Sequence, residues 1–300
     1  MTVSSEITRL QNAKAAIKQS IENKGVAVGE SVKLDGYSAL IDSINTGSES
    51  YVNPDFYELR TKGGTDYRAL FYHYAYAGGS YLLDLSHWDT SKVKDMAYMF
   101  YYNNTLKSVN FSGWDTSNLT NTQYMFHYCS NLTELDMKHF NVSKVTDMTN
   151  MFNACERLVS LDITGWDTSK VTVINSMFQN CKVLTAIIGE IDASSISFGL
   201  CASSSSNPFR YCYALETLYI KNIYKNCNMT DATKWSINLG DTKVKDECLI
   251  YIINELPDLA EKGITSNTKI VLTLPTTNTL TAEQVQVALD KGWQVANTNI

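Results

Sequence analysis

The sequence predicts an α/β repeat solenoid of 26-residue units, with a short helical segment before it and an α/β cap after it. Three observations carry that prediction. Met99-Phe100, Met125-Phe126, Met151-Phe152 and Met177-Phe178 recur at a spacing of 26 residues. Trp88, Trp114, Phe140 and Trp166 keep the same interval, and so do Leu106, Leu132, Leu158 and Leu184. Three residues before those leucines stand Asn103, Cys129, Cys155 and Cys181. A unit this short cannot bury an apolar face alone, so neighbours must stack into a continuous core.

Residues 1–48 form the first element, an attachment or oligomerisation segment with its linker. Ile7, Leu10, Ile17 and Ile21 mark an apolar stripe on a helix, interrupted by Lys14, with Lys24-Gly25 as its stop. Leu34, Tyr37, Leu40, Ile41 and Ile44 suggest a second helix, and Asn45-Thr46-Gly47-Ser48 reads as a linker. So small a piece buries little surface, so it is expected either to self-associate or dock on another protein, or to lie as a lid over the first repeat.

Residues 49–220 form the solenoid. Within a unit, Leu132-Thr-Glu-Leu135-Asp-Met137 alternates apolar and polar, the pattern of a half-buried strand. Met148, Met151, Phe152 and Cys155 stand three and four apart, which predicts a short helical piece with these residues inward. Asp and Ser in Trp166-Asp167-Thr168-Ser169 and its copies supply turns, bonding the backbone two residues on. A degenerate copy runs from Phe71 to Leu85, and a last copy, displaced by the Ser203–Ser206 insertion, carries Phe209, Cys212, Leu215 and Leu218.

Residues 221–300 form the cap. Leu249 to Leu256 reads as a helix ending before Pro257, Lys269 to Leu274 as a strand, and Thr281 as the N-cap of a helix that stops at Lys291-Gly292. Such a unit covers the exposed core and edge of the last coil.

Composition narrows the function. A net charge of −6 with scattered Lys and Arg argues against nucleic-acid partners, which need clustered cations. No apolar run reaches the ~18 residues of a membrane span. The chain opens Met1-Thr2-Val3-Ser4 without a basic or apolar leader, from which either synthesis and assembly in a cytoplasm or a removed signal is expected, with Met1 favouring the first. Seven cysteines, an odd number, give no complete disulfide framework, and no Cys or His pair has zinc spacing. Cys129, Cys155, Cys181 and Cys212 share one slot and are expected to form a buried ladder, whereas Cys201, Cys227 and Cys248 stay unassigned. The in-register Asp89, Asp115, Asn141 and Asp167 are read as turn caps, with calcium binding as the alternative. No phosphate-binding, nucleophile-elbow or metalloprotease motif is present, so no enzyme, cofactor or metal is expected.

The remaining functional signal is aromatic. Of eighteen tyrosines, many crowd the first coils, and Tyr98, Tyr101, Tyr102, Tyr124 and Tyr128 fall beside the inward slots. Tyrosine offers rigid contact area with a polar tip, so these residues are read as a patch for a host-surface glycan or protein, against the plainer reading of rim aromatics.

The pattern Trp-Asp-Thr-Ser-x-Val-x-x-Met-x-x-Met-Phe-x-x-Cys-x-x-Leu-x-x-Leu-Asp resembles the BspA-type leucine-rich repeats of bacterial surface proteins and mycoplasma lipoproteins, over about half the chain. That resemblance implies a leucine-rich-repeat-like fold and a non-enzymatic role in adhesion or interaction. The segment Ala13-Lys14-Ala15-Ala16-Ile17 … Lys24-Gly25-Val26 … Leu34-Asp35-Gly36-Tyr37 is similar to N-terminal segments of tail and other virion proteins of gut-bacterial phages. It implies a virion component, assembled in the host cytoplasm and joined to other virion proteins through residues 1–48; a bacterial cell-surface adhesin is the alternative.

Overall fold

In the computed structural model the described residues are 50–52, 65–72, 80–86, 88–197, 206–226, 236–264 and 270–297. The chain divides into two compact units, Met1–Tyr51 and Val52–Ile300. The helical stripe of Ile7, Leu10, Ile17 and Ile21, the second helix over Leu34–Ile44, and Cys201 and Cys227 lie outside the described residues.

Among the described residues the strands are short. They are β1 (Ser50–Val52), β2 (Tyr81–Asp84), β3 (Leu106–Asn110), β4 (Ser160–Asp162), β5 (Ala186–Asp192) and β6 (Thr217–Lys221), followed by β7 (Ile237–Asn238), β8 (Val271–Thr273) and β9 (Gln294–Ala296). Those from β2 to β9 pair in parallel. Two helices, α1 (Asp246–Glu255) and α2 (Ala282–Asp290), lie among the last three strands. β2 pairs with β3, β4 with β5 and β5 with β6, each in parallel and each one coil further on. The 26-residue repeat therefore folds as the expected solenoid.

Its interior is a set of columns. Phe71, Phe100, Phe126, Phe152, Phe178 and Phe209 stack ring on ring at 5.0 to 6.1 Å. Met99, Met125 and Met151 and the slot leucines Leu106, Leu132, Leu158, Leu184 and Leu215 are wholly buried. Cys129, Cys155, Cys181 and Cys212 form the anticipated buried ladder, and each thiol donates to the carbonyl of a phenylalanine one coil back (Phe100, Phe126, Phe152 and Phe178) at 3.0 to 3.2 Å. Trp114 and Trp166 likewise send their indole N–H to the carbonyls of Leu85 and Met137, each at 2.8 Å.

The corners confirm the turn reading. Asp89, Asp115, Asn141 and Asp167 each accept the backbone N–H two residues on, at 2.9 to 3.1 Å. Hydrogen bonds from the serines hold the Asp89, Asp115 and Asp167 carboxyls below the usual range. At Gly165 the preceding coil comes so close that a Cβ would overlap the Lys138 carbonyl oxygen.

Two local expectations differ. The segment Leu132–Met137 keeps its alternation, with Leu132, Leu135 and Met137 buried, but it forms no assigned strand. Its backbone follows the coil through Thr133 N–H, which bonds the Lys107 carbonyl at 3.0 Å, without completing a ladder. The expected helical piece is instead a run of consecutive tight turns: Met151 bonds back to Met148, Asn153 to Asn150 and Cys155 to Phe152, each three residues away. The alternate N–H groups of Asn150, Phe152 and Ala154 reach carbonyls of the next coil. Serial turns present every third and fourth residue inward just as a helix does, so Met148, Met151, Phe152 and Cys155 are all buried.

The cap matches its reading closely. α1 ends at Glu255, two residues before Pro257, and α2 starts after Thr281, whose hydroxyl accepts from Gln284 N–H in a capping box. β7, β8 and β9 form a separate parallel sheet in that order. Lys243 and Lys245 N–H bond the carbonyls of Leu215 and Glu216, tying the cap to the last coil. Buried side chains from Tyr67 to Trp293 make one continuous core.

Candidate functional site

The turn run places three columns of side chains on one side of the solenoid, on either side of the inward Phe and Cys. The first column holds Tyr98, Tyr124, Asn150 and Ser176, and the third holds Tyr102, Tyr128, Ala154 and Asn180; all eight have positive φ, between 52° and 63°. The second column, between them, holds Tyr72, Tyr101, His127, Asn153 and Gln179.

All five sequence-selected tyrosines meet here. Tyr98 stacks on Tyr124 at 4.7 Å and 5°, and Tyr102 on Tyr128 at 4.5 Å and 15°. Tyr72 stacks on Tyr101 at 4.9 Å, and Tyr101 on His127 at the same distance. These spacings follow from the fold, since neighbouring strands lie ~4.7–4.9 Å apart. Tyr101 links the columns, with Tyr98 at 5.4 Å and Tyr102 at 4.8 Å. Tyr72 and Tyr128 are exposed, and Tyr98, Tyr101, Tyr102 and Tyr124 are half-buried. Burial, with the neighbouring phenols, raises the pKa of Tyr98, Tyr101 and Tyr102, so they stay protonated.

The backbone makes this patch costly. A left-handed conformation costs a non-glycine residue ~1–2 kcal/mol, least for Asn, and a bulky residue there is an outlier. In the next two coils the same slots hold Asn150, Ala154, Ser176 and Asn180, residues with short side chains, before Tyr211 takes the slot again. The early coils put Tyr98, Tyr102, Tyr124 and Tyr128 there instead. Stacking, worth ~0.5–1.5 kcal/mol per aromatic pair, offsets part of that strain.

His127 belongs to the patch and was not singled out by sequence. It is only 8% exposed, stacked under Tyr101 and edge-on to Tyr124 and Tyr128. Its Nδ1 has no hydrogen-bond partner, and burial lowers its pKa to about 4. The signal was available, because His127 stands 26 residues after Tyr101. Among the described residues no group of His, Cys, Asp and Glu side chains is placed to hold a metal, and no helix is long and apolar enough to cross a membrane.

Residues 65–191 match a family model described as Mycoplasma protein of unknown function, DUF285. The DUF285-like span covers less than half of the 300 residues, and it contains every column residue from Tyr72 to Asn180. No curated protein and no solved structure matches the chain. The similarity to a mycoplasma repeat family agrees with the repeat class inferred from the Trp-Asp-Thr-Ser pattern.

Proposed function

We propose that the chain is a non-enzymatic binding protein whose solenoid presents the tyrosine face to a partner at a bacterial surface. The observation that carries this reading is the retention of Tyr98, Tyr102, Tyr124 and Tyr128 at left-handed positions. Strain held at half-buried and exposed positions, where the same fold accommodates Asn, Ala or Ser in later coils, is expected where side-chain identity serves recognition. Rigid aromatics with polar tips suit that task.

The setting we favour is a phage virion, as a tail or head appendage that adheres to the host, with residues 1–48 attaching it to other virion proteins or to further copies of itself. The likeness of that segment to phage virion proteins supports it. A BspA-like cell-surface adhesin is the second reading, and the DUF285-like span supports that one. Capsid, portal or tail genes beside the coding sequence would select the first. A strict monomer in light scattering would count against it.

The binding role itself is tested by replacing Tyr98→Asn, Tyr101→Ala and Tyr102→Asn together and measuring attachment of the purified protein to host bacteria. Attachment should fall at least about ten-fold, the equivalent of ~1.4 kcal/mol, with the circular dichroism spectrum unchanged. Unchanged attachment by a folded variant would dispose of the proposal.

A further inference from the structure

We infer that the tyrosine columns and their amide continuation are one extended face for an uncharged polysaccharide chain lying along the solenoid axis. This rests on the proposed binding role and adds both the ligand class and the second half of the site.

Charge is the first argument. From Tyr72 to Asn180 the three columns contain no Asp, Glu, Lys or Arg. His127, the one basic side chain, is neutral at physiological pH. Ionised groups stand only at the margins: Asp95 and Asp147 precede the first column by three residues, and the Glu156–Lys182 ion pair at 2.8 Å follows the third by two. The next coil breaks the run, with Arg210 lying 4.5 Å over the ring of Tyr211. An anionic polymer would find no cation here, and an ionic contact would be needed to make its desolvation favourable.

The amides are the second argument. Left-handed backbone accounts for Asn150 and Asn180, because Asn tolerates it. It does not account for Asn153 and Gln179, which continue the column of Tyr101 and His127 without positive φ. Asn153 is 8% exposed and its side-chain N–H bonds the Asn150 side-chain carbonyl at 2.6 Å, which orients both amides. Gln179 and Asn180 have no side-chain hydrogen-bond partner among the described residues. At the seam between rings and amides sits His127, with its unpartnered, buried Nδ1. That atom has no exposed surface, so a ligand on the face meets the edge of the His127 ring and its aromatic neighbours rather than Nδ1 itself.

Exposed aliphatic side chains are absent from the columns. Val159, Val183 and Ile188, exposed aliphatic residues of these coils, fall outside them. A protein partner's anchors are typically received in desolvated apolar pockets, with arginine prominent among the hot spots. Phenols, amides and one imidazole instead offer donors and acceptors at every row. The rows recur once per coil, so a polymer of repeating hydroxylated units meets similar chemistry along its length.

The test is affinity electrophoresis of the full chain through gels containing a neutral galactomannan, a neutral glucan or polygalacturonate. At least one neutral polymer should retard the wild type, and retardation should persist in about 0.5 M salt, where ionic contacts are screened. A ring variant, Tyr98→Asn with Tyr124→Asn, should weaken retention about ten-fold. An amide variant, Asn150→Gly with Gln179→Ala and Asn180→Gly, should weaken it about three-fold or more; glycine keeps the left-handed backbone. Thermal melts of each variant verify folding, and a misfolded combination is replaced by Gln179→Ala alone, which is expected to lower retention measurably. Retention by polygalacturonate alone, lost in salt, overturns the inference. So does binding to intact cells that protease treatment of the cells abolishes while no neutral polymer retards the protein. If the ring variant loses binding and folded amide variants lose none, the amide extension fails and the tyrosine-face reading stands.

Discussion

The inside and the outside of the same turns follow different rules. Inward, the Phe column persists from Phe71 to Phe209 and the Cys slot from Cys129 to Cys212 with little variation. Outward, the columns change halfway, from Tyr98, Tyr101 and Tyr124 to Asn150, Asn153 and Gln179. Interior slots are held to one shape because each ring packs on the next at close to coil spacing, and a change at one rung is felt by both neighbours. The outward slots also stack where they hold aromatics, but one side of each faces solvent, so Asn, Gln, Ser and Ala replace the rings in later coils without opening a cavity.

The largest effect that would test this contrast is at an inner rung. Phe126→Ala should cost about 3–5 kcal/mol, because it deletes a wholly buried ring between Phe100 and Phe152. Urea unfolding measures it, and a loss below about 1 kcal/mol would mean that the columns do not govern stability. Next, Gly165→Ala should cost roughly 1–3 kcal/mol by forcing the coil away from the Lys138 carbonyl. The same substitution at an open turn should cost far less.

Acid sharpens the comparison further. His127 has a folded pKa of about 4 against an ordinary 6.5, so the unfolded chain takes the proton first. Its contribution is therefore complete above pH 6.5 and is lost as pH falls toward 4. The lowered carboxyls of Asp89, Asp115, Asp162 and Asp167 contribute above the ordinary carboxylate value of 3.8 and lose that contribution as pH falls below it. Denaturation midpoints recorded from pH 7 to 3 should fall in two stages, and His127→Gln should remove the first. The smallest effect is expected at the strained outward slots. Tyr98→Asn should change stability by less than about 1 kcal/mol, since relief of left-handed strain and loss of one stacked pair oppose each other. A loss above about 2 kcal/mol in a thermal melt would make Tyr98 a structural residue.

The sequence pattern revealed the inner columns fully, because burial imposes one residue type per slot and five slots repeat in register. It also located the tyrosines, the C-terminal end of α1 and both ends of α2, where Pro257, Thr281 and Gly292 act as local signals, while α1 starts at Asp246, three residues before the expected Leu249. It did not distinguish serial turns from a helix, because apolar spacing is the same in both and the left-handed residues are Tyr, Ala and Ser as well as Asn. The place of Leu132–Met137 outside any assigned strand was equally hidden, since alternation reports burial and not hydrogen bonding. His127, Asn153 and Gln179 were missed because their shared column appears only when the outward slots are aligned as carefully as the inward ones.

The cysteine ladder has a practical consequence. Burial pushes the Cys181 thiol up to about 12 and the other three rungs well above the usual thiol value, so a closed coil presents no thiolate at neutral pH. A thiol-directed reagent reaches each rung only when that part of the stack opens. Cys129, Cys155, Cys181 and Cys212 are thus four gauge marks set along the axis by the fold itself. The order in which they become labelled under mild denaturant, read by mass spectrometry, would reveal from which end the array frays and whether an occupied outer face holds its own coils shut.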